Sequence, residues 1–557
     1  MSMDQQISEK IAPPSAVPDG ERWEKILGWL PRILVALALL AFIGYFVVYG
    51  IYAFELIRFP FDYDQGEGFE LMNVLLFSKG QSPYRSSDIY PFYSTNYAPV
   101  FHLILVPLVK LFGPKYWIGR LVSYLGTLVT AAAIGYAVQR ESKRWWLSLL
   151  SGLAFLASNY VYHVGPLFRQ HMFMVMFETL AVVLMAVVID GEEQAGKRNW
   201  KGLLGVMVLL LAAGFTKQLA YATVASVFIF LLLRQPKRAI IWATLFAGAT
   251  GLLFLLINWS TDGYWFISTV ASNVNRFVPG QAVGFLRQWL TLHTVITLAA
   301  ALMALYQLYF ERLSLYAIWF AVAALNGLTA GKWGAGESYY ATAVAASCIL
   351  SGIAFSRWLG WSEQRQDQSG RLLQLSALTI IPILFLIQAN KVFHMPTHTP
   401  ALRAVAAALG KPTEVQIAPQ TSCSAPQSAV SVPYVDSAGV SLLGRPPNAE
   451  DTAAGIRIAE IVGQGNTSAF SEDAGFNLYN NRDVVTNPPY LLNLYENNLV
   501  DLSEMIDWLD RKAFDTVILR SQFYPGPVLD MIGQRYETRE LIEMNMFVYC
   551  IMKPRVE

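Results

Sequence analysis

Apolar runs of membrane length alternate with short polar turns from residue 33 to residue 389. A bilayer span needs about 20 mostly apolar residues. Eleven stretches approach that requirement: 33–54, 119–139, 146–163, 172–189, 202–216, 218–233, 239–258, 288–308, 314–330, 339–356 and 372–389. A further run, 98–112, is shorter and is interrupted by Pro99 and Pro107. Basic residues cluster at Arg140/Lys143/Arg144, Lys197/Arg198/Lys201, Arg234/Lys237/Arg238 and over 357–371. Cytoplasmic loops carry such excess. With the N-terminus inside, a crossing at 98–112 would put all four clusters outside, whereas a surface helix there puts all four inside. The pattern therefore predicts eleven spans, a cytoplasmic N-terminus, an extracytoplasmic C-terminus, and 98–112 as a juxtamembrane helix on the outer face.

Beyond residue 391 the apolar runs shorten and turn signals multiply. Segment 421–433 is rich in Ser and Pro and reads as a loop. Helical periodicity marks 449–462, 502–510 and 525–532, and short strands are expected at 467–470, 516–519, 536–542 and 546–552. The predicted organisation is a disordered cytoplasmic tail over 1–24, a polytopic α-helical bundle over 25–390 with an outer loop at 56–118, and an extracytoplasmic α/β domain over 391–557. The N-terminal stretch lacks a signal-peptide apolar core, so the first span acts as an uncleaved anchor. Composition agrees with a membrane protein. Hydrophobic residues make up 54% and charged residues 15%, against about 25% charged in soluble domains, and mean hydropathy is +0.38. A net charge of +1 offers no footprint for nucleic acid. Of three cysteines, Cys348 lies in an apolar run, so only Cys423 and Cys550 are candidates for pairing, which sequence leaves open.

Under this topology the polar chemistry gathers at the outer face: Asp62, Asp64, Glu67, His102, Arg169, His171, Lys217, Arg276, Lys332 and Glu337 all fall there. Asp64-Gln-Gly-Glu67 precedes an apolar helix, a pattern that also reads as a helix start in which Asp64 caps and Glu67 favours the positive end. A carboxylate fixed at a helix start equally suits a general base. Arg169, Lys217 and Lys332 sit at outer span ends. Each alone reads as a snorkelling cation, but three on the rim that lacks the positive bias suit a phosphate leaving group. His102 and His171 read first as hydrogen-bonded structural residues. The aromatic residues Tyr84, Tyr90, Phe92, Tyr93 and Tyr97 read as an interfacial belt or a sugar-stacking surface, and so do Tyr339 and Tyr340 beside Glu337. No spacing makes a zinc site. An Mg²⁺ or Mn²⁺ on Asp64 and Glu67 stays open.

These residues also carry a resemblance. The acidic outer loop is followed by Gly80-Gln-Ser-Pro-Tyr84, Tyr97-Ala-Pro99 and the Phe112-Gly113…Gly119-Arg120 run, then by Thr216-Lys217-Gln218 and Gly331-Lys-Trp-Gly-Ala-Gly-Glu-Ser-Tyr-Tyr340. Ser471-Glu-Asp-Ala-Gly475 and Asn481-Arg-Asp-Val-Val-Thr-Asn-Pro488 complete the pattern. Together they resemble the GT-C superfamily of membrane glycosyltransferases, in particular its protein-mannosyltransferase-like bacterial branch. The resemblance implies inverting transfer of a sugar from a polyprenyl-phosphate donor to an acceptor hydroxyl of a glycan, lipid or protein. Asp64 matches the family's first-loop base, with Glu67 assisting. Donor phosphate is expected at Arg169, Lys217 and Lys332, and substrate contacts at Tyr97, His102, Glu337 and Tyr340. The chain departs from the family where Gln65-Gly66 separates the acidic pair, and where His171 stands near a position at which relatives often carry an acid. Two other classes, a flippase for a lipid-linked glycan and a non-catalytic scaffold, would need polar residues at mid-membrane depth or leave the acidic loop without a task.

Overall fold

A computed structural model describes residues 19–365, 367–392, 400–411, 446–545 and 547–556. The loop expected at 421–433, Cys423 and most of the expected N-terminal tail lie outside the described residues. Within that expected tail, the first helix already begins at Asp19 and runs to Arg58. Its Ala38, Phe42, Tyr45, Tyr49, Tyr52 and Leu56 recur every three or four residues and are buried, while Ile33, Leu37, Leu40, Ile43 and Val47 are exposed. The buried stripe is the helical period facing the bundle. Its exposed apolar back is a surface for lipid.

A helix stands at each of the eleven expected spans. Among the described residues, six helices are long and apolar enough to cross a membrane: Trp29–Arg58, Tyr116–Ser142, His171–Ala195, Pro236–Ser260, Glu337–Glu363 and Ser369–Lys391. Pro279–Leu292 and Thr294–Phe310 form a pair bent by 94°. Trp145–Ala157, Trp200–Gly214, Gln218–Arg234 and Leu315–Gly331 are apolar but shorter, so length and composition do not by themselves give the expected count. Two continuous runs in the sequence are broken in the fold. The run 146–163 stops after Ala157 and 288–308 turns at His293. The breaks face each other, with Ser158 Oγ 2.8 Å from His293 Nε2. The short run 98–112 forms the helix Val100–Phe112, packed against the outer-loop helix Glu67–Ser78.

The C-terminal unit holds a four-stranded sheet: β1 (Phe470–Ser471), β2 (Val517–Leu519), β3 (Tyr536–Met544) and β4 (Phe547–Pro554). The spatial order is β1-β2-β4-β3, with β1 parallel to β2 and the other pairs antiparallel. Helices Ala449–Gln464, Pro488–Glu496, Ser503–Asp510 and Gly526–Arg535 accompany it. This unit is clamped to the outer loop. Tyr90 stacks on Trp508 at 4.5 Å, Asp501 N donates to Asp88 Oδ1 at 2.9 Å, and Asn487 Nδ2 donates to Ser94 O at 3.1 Å.

Candidate functional site

The turn between the first helix and Glu67–Ser78 is shaped by one buried cation. A guanidinium carries five N–H donors, and every one on Arg120 has an acceptor. Nε donates to Glu67 Oε1 at 2.9 Å, one terminal nitrogen to Leu56 O at 2.7 Å and to Phe59 O, and the other to Phe61 O at 2.7 Å and Glu67 Oε2 at 2.8 Å. Glu67 also accepts from Tyr63 N at 2.9 Å, Asp64 N at 3.2 Å and Phe168 N at 2.7 Å. Burial acts to raise the Glu67 pKa, but Arg120 and these N–H groups outweigh it and hold the group below its ordinary value. Glu67, expected as an assisting group or metal ligand, has oxygens that accept from five donors and hold the loop. Among the described residues, no group of three or more His, Cys, Asp or Glu side chains is placed to hold a metal.

Asp64 does not cap the helix. The cap position is Gly66, and no side chain bonds there. Asp64 Oδ2 instead receives Arg169 through Nε at 2.8 Å and a terminal nitrogen at 2.6 Å. Arg169 also donates to Gln65 O. Gly66 has φ 104°, and a Cβ there would lie 2.9 Å from the Arg169 guanidinium. The Gln65-Gly66 insertion is thus the seat of that guanidinium, since glycine alone combines a left-handed backbone with so close an approach. Burial raises the Asp64 pKa, Arg169 opposes the rise, and the net shift is upward.

Asp64, Arg169, Lys217, Lys332, Tyr97 and Glu337 line one cavity of about 630 Å³. Lys217 follows the helix Trp200–Gly214 in extended backbone. Its Nζ lies 3.1 Å from His171 Nδ1 and over the rings of Tyr339 and Tyr97, at 5.1 Å and 6.0 Å from their centroids. Burial, then the charge of Arg169, lowers its pKa to about 8. Lys332 stands apart from this group, its Nζ donating to Asn273 O at 2.6 Å. Glu337 Oε1 lies 3.6 Å from His163 Nε2.

Two expected substrate contacts are not on the lining. His102 is buried with Nε2 2.5 Å from Glu70 Oε2, in the seam between the two outer-loop helices. Tyr340 stacks on Trp289 at 5.1 Å and packs over Gly327, where a Cβ would meet its ring at 2.3 Å. Both belong to the packed interior because their helix faces turn away from the cavity.

The roles of several residues escape a sequence reading. Asp62, an acid of the same stretch, is a tie between units: it accepts from Gly68 N at 2.6 Å, Tyr116 Oη at 2.7 Å and Gly475 N at 2.9 Å. Burial, then the charge of Asp473, pushes its pKa up to about 7. Glu472 accepts from the N–H groups of Arg520 at 2.5 Å, Ser521 at 2.7 Å and Phe523, and so sets the loop that brings Phe523 to the cavity. Asn487, Tyr490 and Asn493 reach the same lining from the C-terminal unit. Nothing local in sequence links these residues to Asp64, about four hundred positions earlier.

Residues 96–265 match the family model described as dolichyl-phosphate-mannose-protein mannosyltransferase. No curated protein sequence matches the chain. Crystal structures of ArnT from Cupriavidus metallidurans, apo and bound to undecaprenyl phosphate, are similar at 13% identity with TM-scores of 0.54 and 0.53. These alignments cover 95% and 94% of this chain and 98% of ArnT. An apo oligosaccharyltransferase of Archaeoglobus fulgidus aligns at 9% identity and TM-score 0.49, over 92% of this chain and 73% of its own. The likeness to ArnT takes in the helical bundle, the outer loop and the C-terminal unit alike, and the family match falls inside it. The chain therefore shares the fold of ArnT over about 95% of its length, and within that fold residues 96–265 are similar to the mannosyltransferase family.

Proposed function

We propose that the protein is a membrane glycosyltransferase that moves a sugar from a polyprenyl-phosphate donor to an acceptor hydroxyl at the extracytoplasmic face, with Asp64 as general base. The observation that carries this reading is the placement of Asp64, Arg169 and Lys217 on one cavity. Asp64 takes the acceptor hydroxyl proton. The acceptor oxygen attacks the anomeric carbon from the side opposite the phosphate, which inverts that centre. The sugar–phosphate bond breaks, its electron pair leaves on the phosphate, and Arg169 and Lys217 meet the growing negative charge. A base raised above the ordinary aspartate value is better suited to this proton transfer near neutral pH. Arg169 has a double hold in this scheme. Bound to Asp64 it aims the carboxylate, and drawn toward a phosphate it releases basicity to Asp64. The phosphate of a polyprenyl carrier sits at the membrane surface, where the outer loop and C-terminal unit enclose the cavity. ArnT, crystallised with undecaprenyl phosphate, supports a carrier of this class.

The test is Asp64→Asn in purified protein given a panel of polyprenyl-phosphate sugars. Wild-type protein consumes one of them. The variant stays folded and membrane-inserted and loses transfer by about 10²-fold or more, the range of a general base. Transfer at near wild-type rate in a well-expressed variant would overturn the assignment.

A further inference from the structure

The cavity has a wall that the displacement above leaves without a task. Asn275 and Trp333 form it from the bundle, Asn493 and Phe523 from the C-terminal unit. Asn493 is 6% exposed, and its buried Oδ1 has no hydrogen-bond partner. Asn275 is pinned through Nδ2 to Trp333 O at 3.0 Å, which leaves its own buried Oδ1 unpartnered. Trp333 and Phe523 meet edge to face at 6.5 Å. Both are partly exposed, and neither joins a hydrophobic cluster among the described residues.

Buried polar atoms in native proteins almost always have partners, so those without one on a cavity lining point to a ligand. The two unpartnered atoms on this wall are acceptors. They call for a ligand that donates, and an ionised phosphate only accepts. The neighbouring aromatic rings call for an apolar face. An acyl or prenyl tail offers that face but no donors. A sugar ring supplies both: hydroxyls around its rim donate and accept, and its C–H face packs on an indole or phenyl ring. We infer that this wall is the acceptor subsite and that the acceptor is a saccharide, packed on the rings of Trp333 and Phe523 with hydroxyls to Asn275 and Asn493. The inference rests on the transferase reading for the word acceptor, while the saccharide site itself stands on the wall alone. Because two of the four residues come from the C-terminal unit, that unit completes the subsite.

The experiment uses full-length protein in lipid nanodiscs without donor. Saturation-transfer NMR is recorded with lactose and methyl β-glucoside as probes, and with a Ser/Thr-containing peptide as control. Binding of polyprenyl phosphate is measured in parallel. Saccharide ring protons are expected to take up saturation. Trp333→Ala and Asn493→Ala each weaken that binding about tenfold, the effect of one lost contact of this kind, and Trp333→Tyr restores it. Polyprenyl phosphate binding stays near wild type in all three, which also reports that they fold. Absence of saccharide saturation, saturation of the peptide in its place, or an equal loss of polyprenyl phosphate binding in Trp333→Ala would each overturn the inference. A protein that consumes donor yet binds neither saccharide sinks the subsite and leaves the transferase reading intact. One that binds saccharide through Trp333 yet consumes no donor does the reverse.

Discussion

Two carboxylates three residues apart, Asp64 and Glu67, have opposite surroundings. Glu67 faces a fully buried guanidinium whose other donors hold three backbone carbonyls, and Asp64 lines a cavity beside the guanidinium of Arg169. Removing one partner of a buried ion pair costs about 3–5 kcal/mol because the other charge is left alone. Glu67→Gln is therefore expected to lower the thermal stability of the detergent-solubilised protein sharply and to reduce its yield, whereas Asp64→Asn leaves both near wild type. Thermal aggregation assays on the two variants check the contrast. Lys217 supplies a second residue-scale prediction. Its pKa is lowered to about 8, so the ammonium proposed to meet donor phosphate is present below that pH and is lost as pH rises through it. The kcat/KM for donor should fall above about pH 8. Lys217→Arg, always charged, should abolish that limb of the profile; an unchanged limb would assign it to another group.

At the scale of elements, the site depends on how helix starts meet. Asp62, Gly68, Tyr116 and Gly475 join the outer loop, a span and the C-terminal unit at a single carboxylate. A Cβ on Gly475 would lie 2.5 Å from Asp62 Oδ2 and 2.7 Å from Tyr116 Oη. Overpacking of this kind costs about 1–3 kcal/mol. Gly475→Ala should therefore loosen the C-terminal unit, seen as faster limited proteolysis within 446–556, and should lower transfer while the bundle stays inserted. Spans have their own hidden polar features. Glu178, inside His171–Ala195, accepts from Thr223 Oγ1 at 2.6 Å and Thr342 Oγ1 at 2.7 Å, with Trp319 Nε1 on the same Thr223 at 2.9 Å. Periodicity alone does not show that a carboxyl of one span is matched by hydroxyls of two others.

For the whole molecule, the decisive feature is that the residues of the candidate site collect on one cavity to which the C-terminal unit contributes part of the lining. The positive-inside pattern predicts that this cavity lies outside the cytoplasm. Reporter fusions after Lys143 and after Pro488 are expected to fall on opposite sides of the membrane, and the same side for both would undo the orientation. The cavity draws its lining from the outer loop, the starts and ends of several spans, and the C-terminal unit. Transfer should therefore need the intact chain.

Hydrophobic period and charge bias, read along the chain, are local properties, and they determined the helical bundle and the strand-rich C-terminal end, and they singled out Asp64, Arg169, Lys217 and Lys332, which line one cavity. Helix breaks at Ser158 and His293 were not legible, because each break is matched by a side chain more than a hundred residues away. The separation of Glu67 from Asp64, the burial of His102 and Tyr340, and the cavity wall of Trp333, Asn493 and Phe523 were decided only by tertiary structure. Which face of a helix a residue shows follows from period. What stands opposite that face follows from packing between segments far apart in the chain, and the chemistry of a carboxylate is set by what stands opposite.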